Sequence, residues 1–189
     1  MVEQGVRNGR ANALEQELVV RGQGTSSASP ASVYGVLADL RSHEIWAGER
    51  QKKSTRLLSV EAAPGLAMVG TEFQTTGADP MGTFADRSVV TEAAPGKVLE
   101  FVTESQLTTK KGATVDWTNV HRYELSADGK GTRIAYTIRI VRINRLVGML
   151  GLYRVPGLRV LVLKASGGVA RRGVRNLAQL AEEREEGVR

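Results

Sequence analysis

Hydrophobic positions change period three times along this 189-residue chain, and the changes divide it into four stretches. Residues 14–27 are moderately apolar and then glycine-containing, which predicts a first β-strand with a bulge or bend near Gly22 and Gly24. Ser29-Pro30 opens a helix, because a serine side chain can cap free amides and proline is tolerated at the first helical position. Val33, Val36, Leu37 and Leu40 recur at helical spacing over 30–40, and a second short turn is expected at 42–46, before Gly48.

From 54 to 141 the period falls to that of strands. Runs at 55–61, 71–76, 83–92, 98–106, 113–125 and 132–141 are separated by turn chemistry such as Ala63-Pro64-Gly65, Pro95-Gly96 and Asp128-Gly129-Lys130-Gly131. Short loops between consecutive strands imply an antiparallel meander, since parallel pairing needs a longer crossover. Residues 157–185 return to helical spacing, with Leu158, Leu161, Val162, Ala165, Val169, Leu177 and Leu180 in one stripe and Arg171, Arg175 and Glu182-Glu183-Arg184-Glu185 polar. Gly167-Gly168 lies inside this helix, where each glycine costs about 1 kcal/mol relative to alanine. The pair marks a kink or close backbone approach, or else a break between two helices. The predicted architecture is α+β. A curved antiparallel sheet of about seven strands wraps a long C-terminal helix, with two short helices after the first strand. Residues 1–13 are read as a flexible leader and 14–189 as a single domain.

A strand with one buried face alternates, so the sheet can be phased. Val115, Trp117, Asn119, His121, Tyr123 and Leu125 hold the large rings of their strand and should point inward. Leu99, Phe101, Thr103 and Ser105 should do likewise, as should Ile134, Tyr136, Ile138 and Ile140. In 83–92 the phase stays open between Phe84, Asp86, Ser88, Val90 and Ala85, Arg87, Val89, Thr91. Inward Asn119 and His121 need partners, since a buried unpaired polar group costs about 1–3 kcal/mol. They are satisfied core groups or they line a wet cavity.

Composition sharpens this picture at three points. Aromatic residues are only 5% of the chain, so its two tryptophans and four tyrosines mark special positions. The absence of cysteine removes disulfides, thiolate metal sites and cysteine nucleophiles. With two histidines far apart, a transition-metal site is poorly supported, and no metal or cofactor is expected. The net charge of +6 includes Arg154, Arg159, Lys164, Arg171, Arg172 and Arg175 near the C-terminus. Arg154, Arg159 and Lys164, beside Leu and Val, could lay the start of the last helix on an anionic bilayer; a solvated helix face is the alternative. No RNA motif or recognition helix is present, so nucleic acid is not expected as a partner. Residues 146–163 are locally apolar, but Arg154, Pro156 and Arg159 interrupt them before the ~20 residues a crossing helix requires. The polar start of the chain lacks a secretory pattern, which makes the cytoplasm the expected location.

Specific segments carry a resemblance. Ala28-Ser29-Pro30-Ala31-Ser32-Val33-Tyr34, Val36-Leu37-Ala38-Asp39 and His43-Glu44-Ile45-Trp46 together resemble the opening of the START-related polyketide cyclase/dehydrase and lipid-transport superfamily. Val69-Gly70-Thr71-Glu72-Phe73, Ala94-Pro95-Gly96-Lys97-Val98-Leu99-Glu100-Phe101 and Gly129-Lys130-Gly131-Thr132-Arg133-Ile134 extend it, so that it covers about residues 15–186. The resemblance implies the helix-grip fold and a ligand held between the last helix and the loops of the sheet. It does not choose an activity, because these motifs are mostly turns and core positions.

Two functional readings follow. One is binding or transport of a small hydrophobic ligand (lipid, polyketide or quinone-like) by a monomer or homodimer. Its expected ligand-binding residues are Trp117, Asn119, His121, Tyr123, Phe101, Thr103, Tyr136, Ile138, Phe73, Trp46 and Val169. The other is an enzyme of polyketide cyclase, aromatase or dehydratase type, with His121 as the acid–base candidate and Arg87 joining the pocket if its strand turns that way. His43, in the turn between the first helices, is expected to be exposed and structural.

Overall fold

The computed structural model describes residues 17–51, 55–129, 131–145 and 158–187, without the side chains of 158–163 and 165. Strand β1 (Leu18–Ser26) leads into helix α1 (Pro30–Ala38), a 3₁₀ turn (Leu40–Ser42) and a π-helical segment (Glu44–Glu49). Six strands follow: β2 (Arg56–Ala62), β3 (Glu72–Ala78), β4 (Gly82–Ala94), β5 (Val98–Thr109), β6 (Thr114–Asp128) and β7 (Gly131–Ile143). Helix α2 (Leu158–Glu186) closes the chain. The expected leader and the basic side chains at 154 and 159 lie outside what is described.

Local chemistry sets the start of α1 as expected. Ser29 is the N-cap, its Oγ accepting from the Ser32 amide at 3.2 Å, and Pro30 is the first helical residue. The strands form one antiparallel sheet in the order β1-β7-β6-β5-β4-β3-β2. It is a meander whose first strand returns to pair with the last, and α2 packs chiefly on β1 and α1. This is the helix-grip arrangement.

The glycines of β1 do something other than expected. Pairing with β7 runs without a shift from Leu18–Ile140 to Ser26–Thr132, so there is no bulge at Gly22 or Gly24. These residues instead let the helix approach: a Cβ on Gly22 would stand 2.7 Å from the Ala170 carbonyl carbon, and one on Gly24 would stand 3.0 Å from Val174 Cγ1. The real irregularities lie elsewhere. Pairing skips Thr91 in β4, Leu58 in β2, and Val141 in β7, where Asn119 faces Ile140 but Thr118 faces Arg142.

Helix α2 is unbroken through Gly167 and Gly168, which removes the reading of two helices. A Cβ on Gly167 would contact the Arg21 carbonyl at 3.4 Å, whereas one on Gly168 would meet open space. The acidic end of α2 is an anchor. Glu182 accepts from the Ser27 amide (2.7 Å) and Ser26 hydroxyl (3.0 Å), and Glu185 accepts from the Ser29 amide (3.2 Å) and Ser32 hydroxyl (2.8 Å). Beneath them Val33, Leu37, Leu99, Ile134, Val174, Leu177 and Ala181 form the buried core. No described helix is long and apolar enough to cross a membrane.

Two glycine substitutions should therefore move stability in opposite directions. Gly22→Ala drives a methyl into the α2 backbone and should cost about 1–3 kcal/mol. Gly168→Ala fills space and restores helix propensity, and should add up to about 1 kcal/mol. Urea denaturation of the two variants beside the parent checks both signs.

A cavity between the sheet and the terminal helix

Alternation and register together place the inner side chains in cross-strand rows. Thr75, Asp86, Ser105 and Trp117 pair in succession across β3 to β6. The next row is Phe73, Ser88, Thr103, Asn119 and Ile140, and the next is Val90, Phe101, His121 and Ile138, continued by Val20 of β1. Leu99, Tyr123, Tyr136 and Gly22 follow. The middle rows form the floor of a cavity of about 390 Å³. Ser166, Val169, Ala170 and Gly173 of α2 roof it, and His43, Trp46, Ala47 and Gln51 wall one side.

Trp46, Phe73, Phe101, Thr103, Trp117, Asn119, His121, Tyr123, Tyr136, Ile138 and Val169 all line this cavity. The open phase of β4 resolves with Asp86, Ser88 and Phe84 toward the cavity, so Arg87 faces outward, exposed, and takes no part. Asp86 and Phe84 were legible only as one of two faces. Met81, beside the Pro80 turn, gave no periodic signal at all.

The rings pack as a ladder. Phe101 and His121 stack at 4.8 Å with 11° between their planes, Tyr123 and Tyr136 stack at 4.3 Å, and Phe73 meets Phe101 edge-on at 5.3 Å. His121 Nδ1 and the Tyr136 hydroxyl share a hydrogen bond of 2.8 Å, and the Tyr136 ring stacks in turn on Tyr123. Part of His121 is exposed, but its surroundings enclose the ring, so the exposed part faces the hollow rather than bulk water.

His43 departs from expectation. It is 3% exposed, tilted against Trp46 at 4.7 Å, and lines the cavity. Its Nε2–H donates to the Leu37 carbonyl at 2.7 Å, which leaves Nδ1 as a bare acceptor. Burial pushes His43 down to about 4, and burial together with the neighbouring His43 pushes His121 down to about 3. Both imidazoles are neutral at pH 7.

Polar side chains are interspersed with the apolar ones along the lining. The Asp86 carboxylate accepts from Ser105 Oγ at 2.6 Å and Thr75 Oγ1 at 3.2 Å, while burial raises its pKa above the ordinary value. Ser88 and Thr103 hydrogen-bond to each other at 2.8 Å. Trp46 Nε1, Trp117 Nε1 and Asn119 Oδ1 are buried with no hydrogen-bond partner. That pattern answers the question left open for Asn119: its amide nitrogen reaches Ser105 at 3.5 Å, but its oxygen does not have a protein partner.

No family model and no curated protein matches the chain. Solved structures do. The chain is similar to an uncharacterized protein from Rhizobium leguminosarum (TM-score 0.60, 14% identity, covering 89% of this chain and 96% of that one). It is similar to a protein from Thermus thermophilus (TM-score 0.60, 16% identity, 87% of this chain and 97% of that one). It is also similar to Ara h 8.0201 (TM-score 0.51, 12% identity, 87% of this chain and 99% of that one). At these identities the likeness is one of fold.

The neutral histidines link stability to pH with a definite sign. The unfolded chain takes up protons on both rings near pH 6.5, whereas the native state resists until about 4 and about 3. Stability is therefore full above pH 6.5 and is lost as pH falls, by about 2 kcal/mol per histidine between pH 7 and 5. Asp86, raised in the native state, works in the opposite direction at lower pH. Urea midpoints measured at pH 7, 6 and 5 should drop for the parent, less for His43→Gln or His121→Asn, and least for the double variant.

Proposed function

We propose that this protein binds and carries one compact apolar molecule in the cavity between sheet and α2. The single observation that carries the reading is the hollow itself. It has about 390 Å³ of space, walled by Phe73, Phe84, Phe101, Ile138, Ile140 and Val169, in a molecule whose neighbouring core is tightly packed. Interiors normally leave few voids larger than a water molecule, and cavities that hold small ligands run from about 300 to 1,000 Å³ with mostly apolar walls and a few polar groups. The size supports a molecule of a few fused rings or a short chain rather than a long two-chain lipid. The resemblance noted in the sequence supports the polyketide-like or quinone-like end of the hydrophobic ligand classes.

The chemistry of His121 favours holding a ligand over turning it over. A ring pushed down to about 3 is almost wholly neutral at pH 7, so it is a poor general acid there. Neutral and bonded to Tyr136, it is well suited to orient a ligand carbonyl or phenol.

The chain's two tryptophans both line the cavity, so intrinsic fluorescence reads its occupancy directly. Titration with menadione, a compact quinone that quenches indole emission, should give saturable quenching. Val169→Phe, which puts a ring into the space under α2, should weaken that binding at least tenfold while the far-ultraviolet circular dichroism stays unchanged. Linear, unsaturable quenching that Val169→Phe does not alter would sink the proposal.

A further inference from the structure

The polar end of the cavity has a sign. Thr75, Asp86, Ser105 and Trp117 form one row across four strands, with Asn119 in the row beside it. Apolar groups flank this patch on both sides: Phe84, Leu107, Val115 and Ile143 beyond it, Phe101 and Ile138 on the other. A carboxylate placed there is costly unless something pairs with it.

The protein pairs it only with hydroxyls. Asp86 receives one hydrogen bond at each oxygen, from Ser105 and Thr75, and forms no ion pair among the described residues. Of the described arginines and lysines, only the exposed Arg56 borders the cavity, and Arg87, the next residue along from Asp86, faces outward. The two imidazoles are neutral. Asn119, 6% exposed, turns its amide nitrogen to Ser105 and is left with a buried oxygen that has no partner. The patch thus presents the lone pairs of Asp86 and the orphan oxygen of Asn119, which are acceptors, and among the described residues it lacks an internal cation.

The geometry points to a ligand class: a hydrophobic amine, its ammonium group seated between the Asp86 carboxylate and Asn119 Oδ1 and its apolar body lying along Phe101 and Ile138. This rests on the cavity being a ligand site, as proposed above, and adds which end of the ligand is recognised and how. The raised affinity of Asp86 for its proton in the free protein is what an uncompensated carboxylate shows. A ligand cation would supply the missing charge and three N–H donors to an acceptor-only patch. The unpartnered Trp117 Nε1–H, in the same row as Asp86, is placed to donate to an acceptor carried next to the amine.

The test compares three probes of one shape by titration calorimetry on the purified full chain at pH 7: 2-(1-naphthyl)ethylamine, 2-(1-naphthyl)ethanol and 1-naphthylacetic acid. The amine should bind at least tenfold more tightly than the alcohol, and the carboxylate should bind most weakly. Asp86→Asn should reduce amine affinity at least tenfold and leave the alcohol within about threefold; Arg87→Gln, on the outer face, should change neither. Should Asp86→Asn fail to fold, the ranking of the three probes on the parent protein decides alone. Alcohol binding with no preference for the amine overturns this inference and leaves the hydrophobic-ligand reading standing. Failure of all three probes where menadione binds also overturns it, and failure of menadione as well removes both.

Discussion

Everything that positions the cavity depends on how closely α2 can lie against β1. The approach is made possible by glycine: with any side chain at 22, the Ala170 carbonyl carbon would have an atom 2.7 Å away, and the helix would have to lift. Having been let in, the helix is held at its far end. Leu177 and Ala181 are fully buried, and Glu182 and Glu185 take up the hydrogen bonds of the chain between Ser26 and Ser32. A helix clamped against the first strand at one end of a curved sheet cannot also touch the strands that curve away from it. The space under Ser166 and Val169 follows from that geometry.

What lines the space is then decided by strand register, and register is unforgiving because the side-chain period is two. A slip of one residue in β4 would turn Asp86 and Ser88 out and bring Arg87 in, reversing the charge of the interior. The break in pairing at Val141 is a local use of the same rule. By skipping one residue it brings Ile143 inside beside Trp117, where strict alternation after Ile140 would have presented Arg142. Arg142 instead reaches Glu104 across the outer face at 2.7 Å.

The elements and their order were legible in the chain because each has its own local signal: Ser29-Pro30 for α1, turn glycines between strands, and a heptad-like stripe in the last helix. The inward phase of β5, β6 and β7 was legible because the aromatic rings and the Leu or Ile side chains of each fall on one face, opposite Val, Ala, Thr and charged residues. β4 was not, since Phe84 and Val90 on one face are matched by Ala85 and Val89 on the other, and only pairing to β5 breaks the tie. Gly22 and Gly24 read as a bend because a strand glycine commonly marks one, whereas a close approach requires knowing what lies above it. His43 read as exposed for a similar reason: a short non-α turn has no period from which to infer direction. The cap made by Glu182 and Glu185 joins residues more than 150 positions apart and leaves no local trace at all.

The electrostatic logic of the interior completes the argument. At one end the two imidazoles sit near each other and near Phe101, and a proton on either would repel the other in a place where water cannot screen it. Burial lowers both, outweighing the opposing pull of the Leu37 carbonyl and Asp39 on His43, and repulsion from His43 lowers His121 further, so the pair stays uncharged at pH 7. At the other end Asp86 has hydroxyl donors but no cation among the described residues, so its charge is tempered without being cancelled. Between them Phe101, Ile138 and Val169 offer only apolar contact. An anionic guest such as a fatty carboxylate would find among the described lining residues only the exposed Arg56 as a positive partner, and would lie near a group of its own sign at Asp86. A guest with an apolar body and a positive or N–H-rich end meets the reverse. The charge selectivity proposed above would follow from strand register, which turns Arg87 outward and Asp86 inward, before any contact specific to one ligand.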